Sequence, residues 1–215
     1  MKRTILLLGL LSILHQPALS AEPVKIGAIF SKTGIAAVHN APLIEMVELA
    51  VEEINNEGGL LGRPVRLILL DNKSTPIGSK LAAEEAVRLG AVAVIGAHWS
   101  SHSLALAPIL QKAGVPMISP GSTNPKVTRI GNCIFRVCFI DSFQGKAMAK
   151  FAYTDLHAKK AVVLKNIDEE YSVKLAEYFM NAYQQIGGTI LLDGSYRRKA
   201  VDFSDVIQAT TKLSP

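Results

Sequence analysis

The stretch from Val92 to Pro125, VAVIGAHWSSHSLALAPILQKAGVPMISPGSTNP, decides the fold that the sequence predicts. It contains two short apolar strands joined by a helix, and each strand ends in a polar turn, at 98–103 and 119–124. A strand-helix-strand unit returns the chain in the same direction, so both turns fall at one edge of a parallel sheet. Open α/β sheets bind ligands at this edge. The stretch therefore predicts a ligand-binding edge formed by two hydroxyl-rich turns.

The same alternation of strands and helices continues on both sides of this stretch. Further strands are predicted at 24–30, 65–70, 134–137, 161–164 and 189–192, and further helices at 42–54, 77–89, 143–156, 172–186 and 203–212. Asn40 is predicted as the N-cap of the first of these helices, with Pro42 in its first turn and an apolar stripe from Leu43 to Ile54.

This alternation indicates an α/β protein with two doubly wound, parallel-sheet lobes. We place a lobe boundary between Val137 and Cys138, where a strand leads into a helix that starts a new run of α/β units. Lobe one then comprises residues 21–137 and lobe two residues 138–215. Lobe two holds only two predicted strands, so its core is small and the lobe is predicted to be incomplete.

The N-terminal residues are predicted to be a signal peptide. Lys2 and Arg3 precede an apolar run, Thr4 to Leu14, and small residues at Ala18-Leu19-Ser20 supply a cleavage site near Ser20. The apolar run is too short to span a bilayer, although an uncleaved, membrane-anchored signal is the alternative. We therefore expect residues 1–20 to be removed and the mature protein to be exported to the periplasm.

Composition and motifs exclude several classes of function. Without the signal peptide the chain carries 21 basic and 18 acidic residues, and the basic residues are scattered, which indicates a solvated surface and no nucleic-acid face. Neither GxGxxG between strand and helix nor GxxxxGK[ST] is present, and no GxSxG elbow supports a secreted hydrolase. His98 and His102 have the spacing of a helical metal pair but lack a third ligand, so we predict no metal and no cofactor.

The two cysteines, Cys133 and Cys138, leave two alternatives open. Five residue steps along an extended segment separate them by about 16 Å, so a disulfide requires a tight bend. An oxidising compartment permits such a bond, and two free thiols are the other alternative.

The polar turns carry the candidate binding residues. Ser100, Ser101, Ser122 and Thr123 place hydroxyls and backbone N–H groups beside helix starts, where a carboxylate binds well, although such residues also cap helices and close turns. Trp99 either covers an aliphatic or aromatic ligand group or packs between loop and helix. Four acidic residues also lie at strand-to-helix junctions: Asp141, Asp168, Glu169 and Glu170. The alternative roles for them are helix caps, a solvated face, and counter-charges for a cationic ligand group.

Six motifs occur in an order that resembles one family. VKIGAIFSKTG, AVEEINNEGGLLGRPVRLILLD, VIGAHWSSHS, VPMISPGSTNP, FRVCFIDSFQG and DEEYS are similar to the periplasmic solute-binding proteins of the branched-chain amino-acid ABC transporter family. The resemblance runs from Val24 to Ser214 and implies the type I periplasmic-binding-protein fold, in which two lobes joined by a hinge close on a small ligand.

The resemblance also implies roles for individual residues. Ser100–Ser101 and Ser122–Thr123 would hold the ligand α-carboxylate and part of its ammonium group. His39 would lie beside the ligand with Trp99 adjoining it, Tyr171 would face the ligand from lobe two, and Asp141 would be an acid near the hinge.

The function implied is that of a solute-binding subunit of an ABC importer, without catalysis. Its partners would be an amino acid or a related small amide and a membrane permease, with no nucleic acid, and the protein would be a monomer. Polar amino acids, amides and urea-like solutes are candidate ligands beside branched-chain amino acids, because His39 and Trp99 are unlike small aliphatic pocket residues. The alternative with the same fold is a ligand-sensing module of a receptor or regulator.

Family members continue well beyond the position of Pro215. The resemblance therefore implies a C-terminally truncated member whose second lobe is incomplete, and such a chain is expected to bind ligand weakly.

Overall fold

The computed structural model describes residues 22–213, so the predicted signal peptide and the last two residues lie outside the described residues. The first sheet has five parallel strands in the order β2-β1-β3-β4-β5. Their bounds are Val24–Phe30 (β1), Val65–Asp71 (β2), Ala93–Gly96 (β3), Met117–Ser119 (β4) and Ile134–Arg136 (β5). The order reverses direction around β1, as expected of a doubly wound sheet.

The helices of the first lobe connect these strands. They are α1 (Ala37–Asn56), α2 (Pro76–Arg88) and α3 (Ser100–Ala113). Alanines on α2 and α3 let these two helices approach the sheet closely, and they form one core with apolar residues of the strands. The buried residues of this core include Ala82, Ala83, Ala86, Leu106, Ala107 and Leu110 from the helices and Ile29, Val94 and Met117 from the strands.

The start of α1 differs from the prediction. The helix begins at Ala37, and Asn40 lies inside its first turn, completely buried. The Asn40 side chain accepts a hydrogen bond from Ser31 N at 3.2 Å and donates one to Ala36 O at 2.9 Å. Asn40 therefore fixes the loop that follows β1 and does not cap the helix. Its predicted apolar stripe is only partly covered, since Met46 and Ile54 are exposed.

The rest of the chain forms a smaller second unit. Its elements are α4 (Asp141–Lys150), a π-helical turn (Phe151–Asp155), β6 (Lys160–Asn166), α5 (Glu170–Gln185), β7 (Thr189–Tyr196) and α6 (Ser204–Leu213). Strands β6 and β7 pair in parallel as a two-stranded sheet. Tyr183 anchors the core of this unit: it stacks on Phe179 with ring centroids 5.3 Å apart, and its hydroxyl donates to Ala158 O at 2.7 Å.

Several smaller predictions can be compared with the described residues. The proposed lobe boundary falls in the segment between β5 and α4, and its exact position stays a prediction. Cys133 and Cys138 are free thiols, both half-buried. Between residues 22 and 213, every helix is too short or too polar to be a candidate for crossing a membrane.

Candidate functional site

The two polar turns lie side by side because β3 and β4 are neighbouring parallel strands. Val94 is in register with Met117, and Ile95 with Ile118, so the chain leaves both strands at the same edge of the sheet. The turns are joined directly: Asn124 N donates to Ser100 Oγ at 3.2 Å, and Ser119 Oγ donates to Ala97 O at 2.7 Å. The predicted juxtaposition of the two turns is therefore present.

Ser122 is committed to holding these turns together. Its hydroxyl is completely buried and lies 2.7 Å from Ser103 Oγ, 3.2 Å from Ala97 O and 3.1 Å from His98 O. In the same turn, Gly121 packs so closely on the His98 ring that a Cβ would overlap it. These contacts support the closing of a turn, which was the alternative to ligand binding for these serines.

A cavity of about 640 Å³ opens where this edge faces the second unit. Its lining comes from both units and consists of Ile35, His39, His98, Trp99, Ser100, Gly121, Thr123, Phe139, Gln144, Asn166, Glu169, Tyr171 and Arg198. Five of the predicted binding residues are therefore in the lining: His39, Trp99, Ser100, Thr123 and Tyr171. The other three, Ser101, Ser122 and Asp141, are outside it, and all eight binding roles stay predictions.

One end of the cavity suits an anion. Helix α3 begins at Ser100, after Trp99 in an extended conformation, and no side chain of the described part of the chain caps this helix start. The first-turn N–H groups of a helix have no partner inside the helix, and the helix dipole favours negative charge there. His102 N and Ser103 N both donate to Trp99 O. Ser100 lines the cavity, so the N–H groups of Ser100 and Ser101 are the ones available to a carboxylate.

A cluster of acceptor oxygens adjoins the anion-binding end. Within residues 22–213, Thr123 Oγ1, both carboxylate oxygens of Asp141 and Gln144 Oε1 are buried and lack a hydrogen bond of regular geometry. Asp141 N donates to Thr123 O at 2.9 Å, and Gln144 is one helical turn after Asp141 on α4. Burial raises the pKa of Asp141, and the nearby Thr123 hydroxyl and Arg136 guanidinium offset only part of this effect. The cluster needs hydrogen-bond donors, which an ammonium or amide group supplies.

Part of the cavity wall is formed by Arg198 and Glu169. These two side chains are ion-paired, and the guanidinium carbon of Arg198 lies 5.3 Å from the centroid of the Trp99 ring. The Trp99 ring also has a neighbour in His102, with ring centroids 5.3 Å apart and an interplanar angle of 30°. The Arg198 backbone N–H donates to Asp168 at 3.0 Å, which fixes the loop after β7. Trp99 is therefore a contact between the two units.

Burial affects two histidines of this region, His98 and His102. Burial lowers the pKa of His98, and the neighbouring His39 lowers it further. Burial lowers the pKa of His102 to about 4; a backbone hydrogen bond at Ser74 opposes this shift, and the charge of Arg198 adds to it. No group of three metal-binding side chains occurs among the described residues, so His98 and His102 have no third ligand there.

The sequence did not single out several lining residues, notably Phe139, Gln144, Asn166 and Arg198. Arg198 belongs to the run Arg197-Arg198-Lys199, which resembles a solvated surface in the sequence. The sequence did contain a feature that indicates Gln144 as a neighbour of Asp141: the spacing of three residues places both side chains on one helix face. Glu169 was a candidate counter-charge, and here it faces Arg198.

Two parallel-sheet α/β units with a ligand-sized cavity between them define a bilobal binding protein. The sequence model of a family described as periplasmic binding protein matches residues 23–213. The chain belongs to this family. The resemblance, the fold class and the expectation of a non-enzymatic protein are confirmed, because the related chains are binding proteins of transporters.

The relatives extend beyond this chain. An amino acid binding protein of Pseudomonas aeruginosa is 29% identical over 96% of this chain and 55% of its own length. Among solved structures, a leucine-binding protein of Thermotoga maritima is 39% identical with a TM-score of 0.82, over 89% of this chain and 54% of that chain. A branched-chain amino-acid transporter substrate-binding protein of Streptococcus pneumoniae in complex with isoleucine has 30% identity and a TM-score of 0.82, over 88% and 54%. The chain spans about half the length of these relatives.

Proposed function

We propose that this protein is the extracytoplasmic solute-binding subunit of an ABC importer and that it captures an amino acid or a related small amide. One observation carries the proposal: an uncapped helix start at Ser100 lines the same cavity as Thr123 and Gln144, whose buried oxygens lack a hydrogen bond of regular geometry, and the Asp141 carboxylate lies next to Thr123 outside the lining. Donors and acceptors in this arrangement match the carboxylate and ammonium groups of a zwitterion.

The proposed binding roles assign the two ends of the ligand to these groups. The ligand carboxylate accepts hydrogen bonds from the Ser100 hydroxyl and from the first-turn N–H groups of α3, including that of Ser101. The ammonium or amide donors bind Thr123 and Gln144, while Asp141 supplies negative charge behind them. His39 and Tyr171 flank the ligand, Trp99 and Arg198 form the adjoining wall of the cavity, and Ser122 maintains the turn that positions Thr123.

Closure of the two lobes traps the ligand, and no chemical step is involved. Contacts between the lobes support this mechanism. Glu170 at the start of α5 lies 3.4 Å from Asn124 Nδ2 and 3.6 Å from Lys126 Nζ, both in the segment after β4. Arg198 lies over Trp99 on the other side of the cavity. These contacts require the two lobes to be close together, so ligand binding and closure support each other.

A periplasmic location and a membrane permease as partner complete the proposal. Their support is the predicted signal peptide at residues 1–20 and the transporter relatives. We expect a monomer. The alternative, a ligand-sensing module of a receptor, has the same fold and cavity. Transport by a permease reconstituted with this protein distinguishes the two roles, because a sensing module does not stimulate uptake.

A titration of the purified protein with amino acids and amides tests binding itself. Ligand concentrations reach about 10 mM, because a Kd of 1 mM still corresponds to about 4 kcal/mol of binding free energy. At least one amino acid or amide should bind, and Thr123→Val should weaken it about tenfold. Thr154→Val, at an exposed position of the π-helical turn after α4, is the matched control. Absence of binding across the whole panel would contradict the proposal.

A further inference from the structure

We propose that the ligand of this cavity carries an aromatic ring, an inference that rests on the proposed function and narrows its ligand class. The starting observation is a group of large apolar side chains that line the cavity and remain exposed: Ile35, Phe139 and Tyr171 have 54%, 57% and 40% of their surface accessible. Single exposed apolar residues are common on protein surfaces. Three that meet in one cavity form a surface that a ligand covers.

This surface is mainly aromatic. Phe139 and Tyr171 contribute rings, and the imidazoles of His39 and His98 belong to the same lining, whereas Ile35 is its only large aliphatic side chain. Aromatic rings pair with one another in offset or edge-to-face geometry and gain more than equal apolar area alone provides. For an otherwise similar ligand, a ring in place of a branched alkyl group is therefore expected to bind roughly two- to tenfold more tightly.

Trp99 is not available for this role. The Arg198 guanidinium lies over its ring, and the ring also contacts His102. Arg198 is itself ion-paired with Glu169, so the two opposite charges on this side of the cavity neutralise each other. The ring of the ligand is therefore assigned to Phe139 and Tyr171, and its zwitterionic end to Ser100, Thr123 and Gln144.

The size of the cavity agrees with a ring. Its volume of about 640 Å³ lies within the range of roughly 300–1,000 Å³ in which proteins bind drug-sized ligands. A branched-chain side chain would leave part of the aromatic surface uncovered. A phenyl, hydroxyphenyl or indole group reaches further along that surface, so the proposed ligand class is that of aromatic amino acids and their amides.

Titration calorimetry with L-phenylalanine and L-leucine tests the inference. The purified protein should bind L-phenylalanine roughly two- to tenfold more tightly than L-leucine. Phe139→Leu should bring this ratio close to one, because the ring is replaced by an alkyl group of similar size. Phe143→Leu is the matched control: Phe143 is also exposed, at 66%, but lies outside the cavity lining, so the ratio should not change.

Tyr171→Leu provides a second test from the other lobe and should also reduce the ratio, so the inference stays testable if one variant does not fold. L-Leucine binding as tightly as L-phenylalanine, or a ratio that neither variant changes, would overturn the inference and leave the proposed function standing. If neither the twenty amino acids nor their amides bind, the proposed function and the inference fail together.

Discussion

Asp141 is the residue whose environment is most unusual. Its carboxylate is completely buried, and burial raises its pKa. A carboxyl group whose pKa is higher in the folded state favours folding while it is protonated, at acidic pH. This contribution is lost as the pH rises from the unfolded pKa of about 4 through the folded value. The buried Asp141 carboxylate therefore lowers the stability of the ligand-free protein near neutral pH.

Asp141→Asn should accordingly stabilise the ligand-free protein near pH 7, by about 1–2 kcal/mol, because it removes a buried charge with little change in shape. The gain should shrink as the pH falls, because protonation of the wild-type side chain removes the buried charge. Urea unfolding at several pH values between 4 and 7 measures the difference. Asp155→Asn, at an exposed position, is the control. An equal effect at every pH would contradict the assignment.

The variants Ser122→Ala and Ser101→Ala compare the loss of a completely buried hydroxyl with the loss of a half-buried one. Ser122→Ala should lower the free energy of unfolding by about 1–3 kcal/mol, because it removes a buried hydroxyl whose one hydrogen bonds the Ala97 or the His98 carbonyl oxygen. Ser101→Ala should cost less than about 0.5 kcal/mol, since Ser101 is only half-buried. Urea unfolding of both variants provides the comparison. Equal losses would show that burial of the Ser122 hydroxyl has no special weight.

At the scale of elements, the loop after β7 contacts the start of α3 through Arg198 and Trp99. Trp99 is the only tryptophan of the sequence, so its fluorescence reports on this contact alone. Arg198→Ala should shift the emission to longer wavelength, because removal of the guanidinium exposes one side of the ring to water. Arg197→Ala removes a neighbouring charge that pairs with Asp168 and does not contact Trp99, so its spectrum should match the wild type.

The elements themselves were largely predictable from the sequence. The strand Val24–Phe30 is apolar except for Lys25, and α3 lies between two strands with clear turn residues. The start of α1 was not predictable, because Asn40 acts on Ser31, nine residues earlier, and a capping pattern does not show such a contact. Arg198 was missed for a similar reason: its partners Glu169 and Trp99 are distant in sequence.

At the scale of the whole molecule, the two units differ in the size of their sheets. A five-stranded sheet covered by helices has a large core, whereas the two-stranded sheet depends on the helices packed against it, chiefly α5. Amide hydrogens of β6 and β7 should therefore exchange faster than those of β1 and β3, by about tenfold or more. Hydrogen exchange followed by mass spectrometry compares the four strands. Equal protection of both sheets would indicate that the units unfold together.

The contact of Glu170 with Lys126 makes the protein sensitive to its ionic surroundings. Both side chains are partly exposed, at 34% and 60%. Dissolved salt weakens the attraction between such charges, since the screening length is about 8 Å at 0.15 M and about 3 Å at 1 M. A change in salt concentration would thus change how readily the two lobes stay together, and the Kd of a bound amino acid should rise with added sodium chloride. A Kd independent of salt would mean that this ion pair contributes nothing to closure.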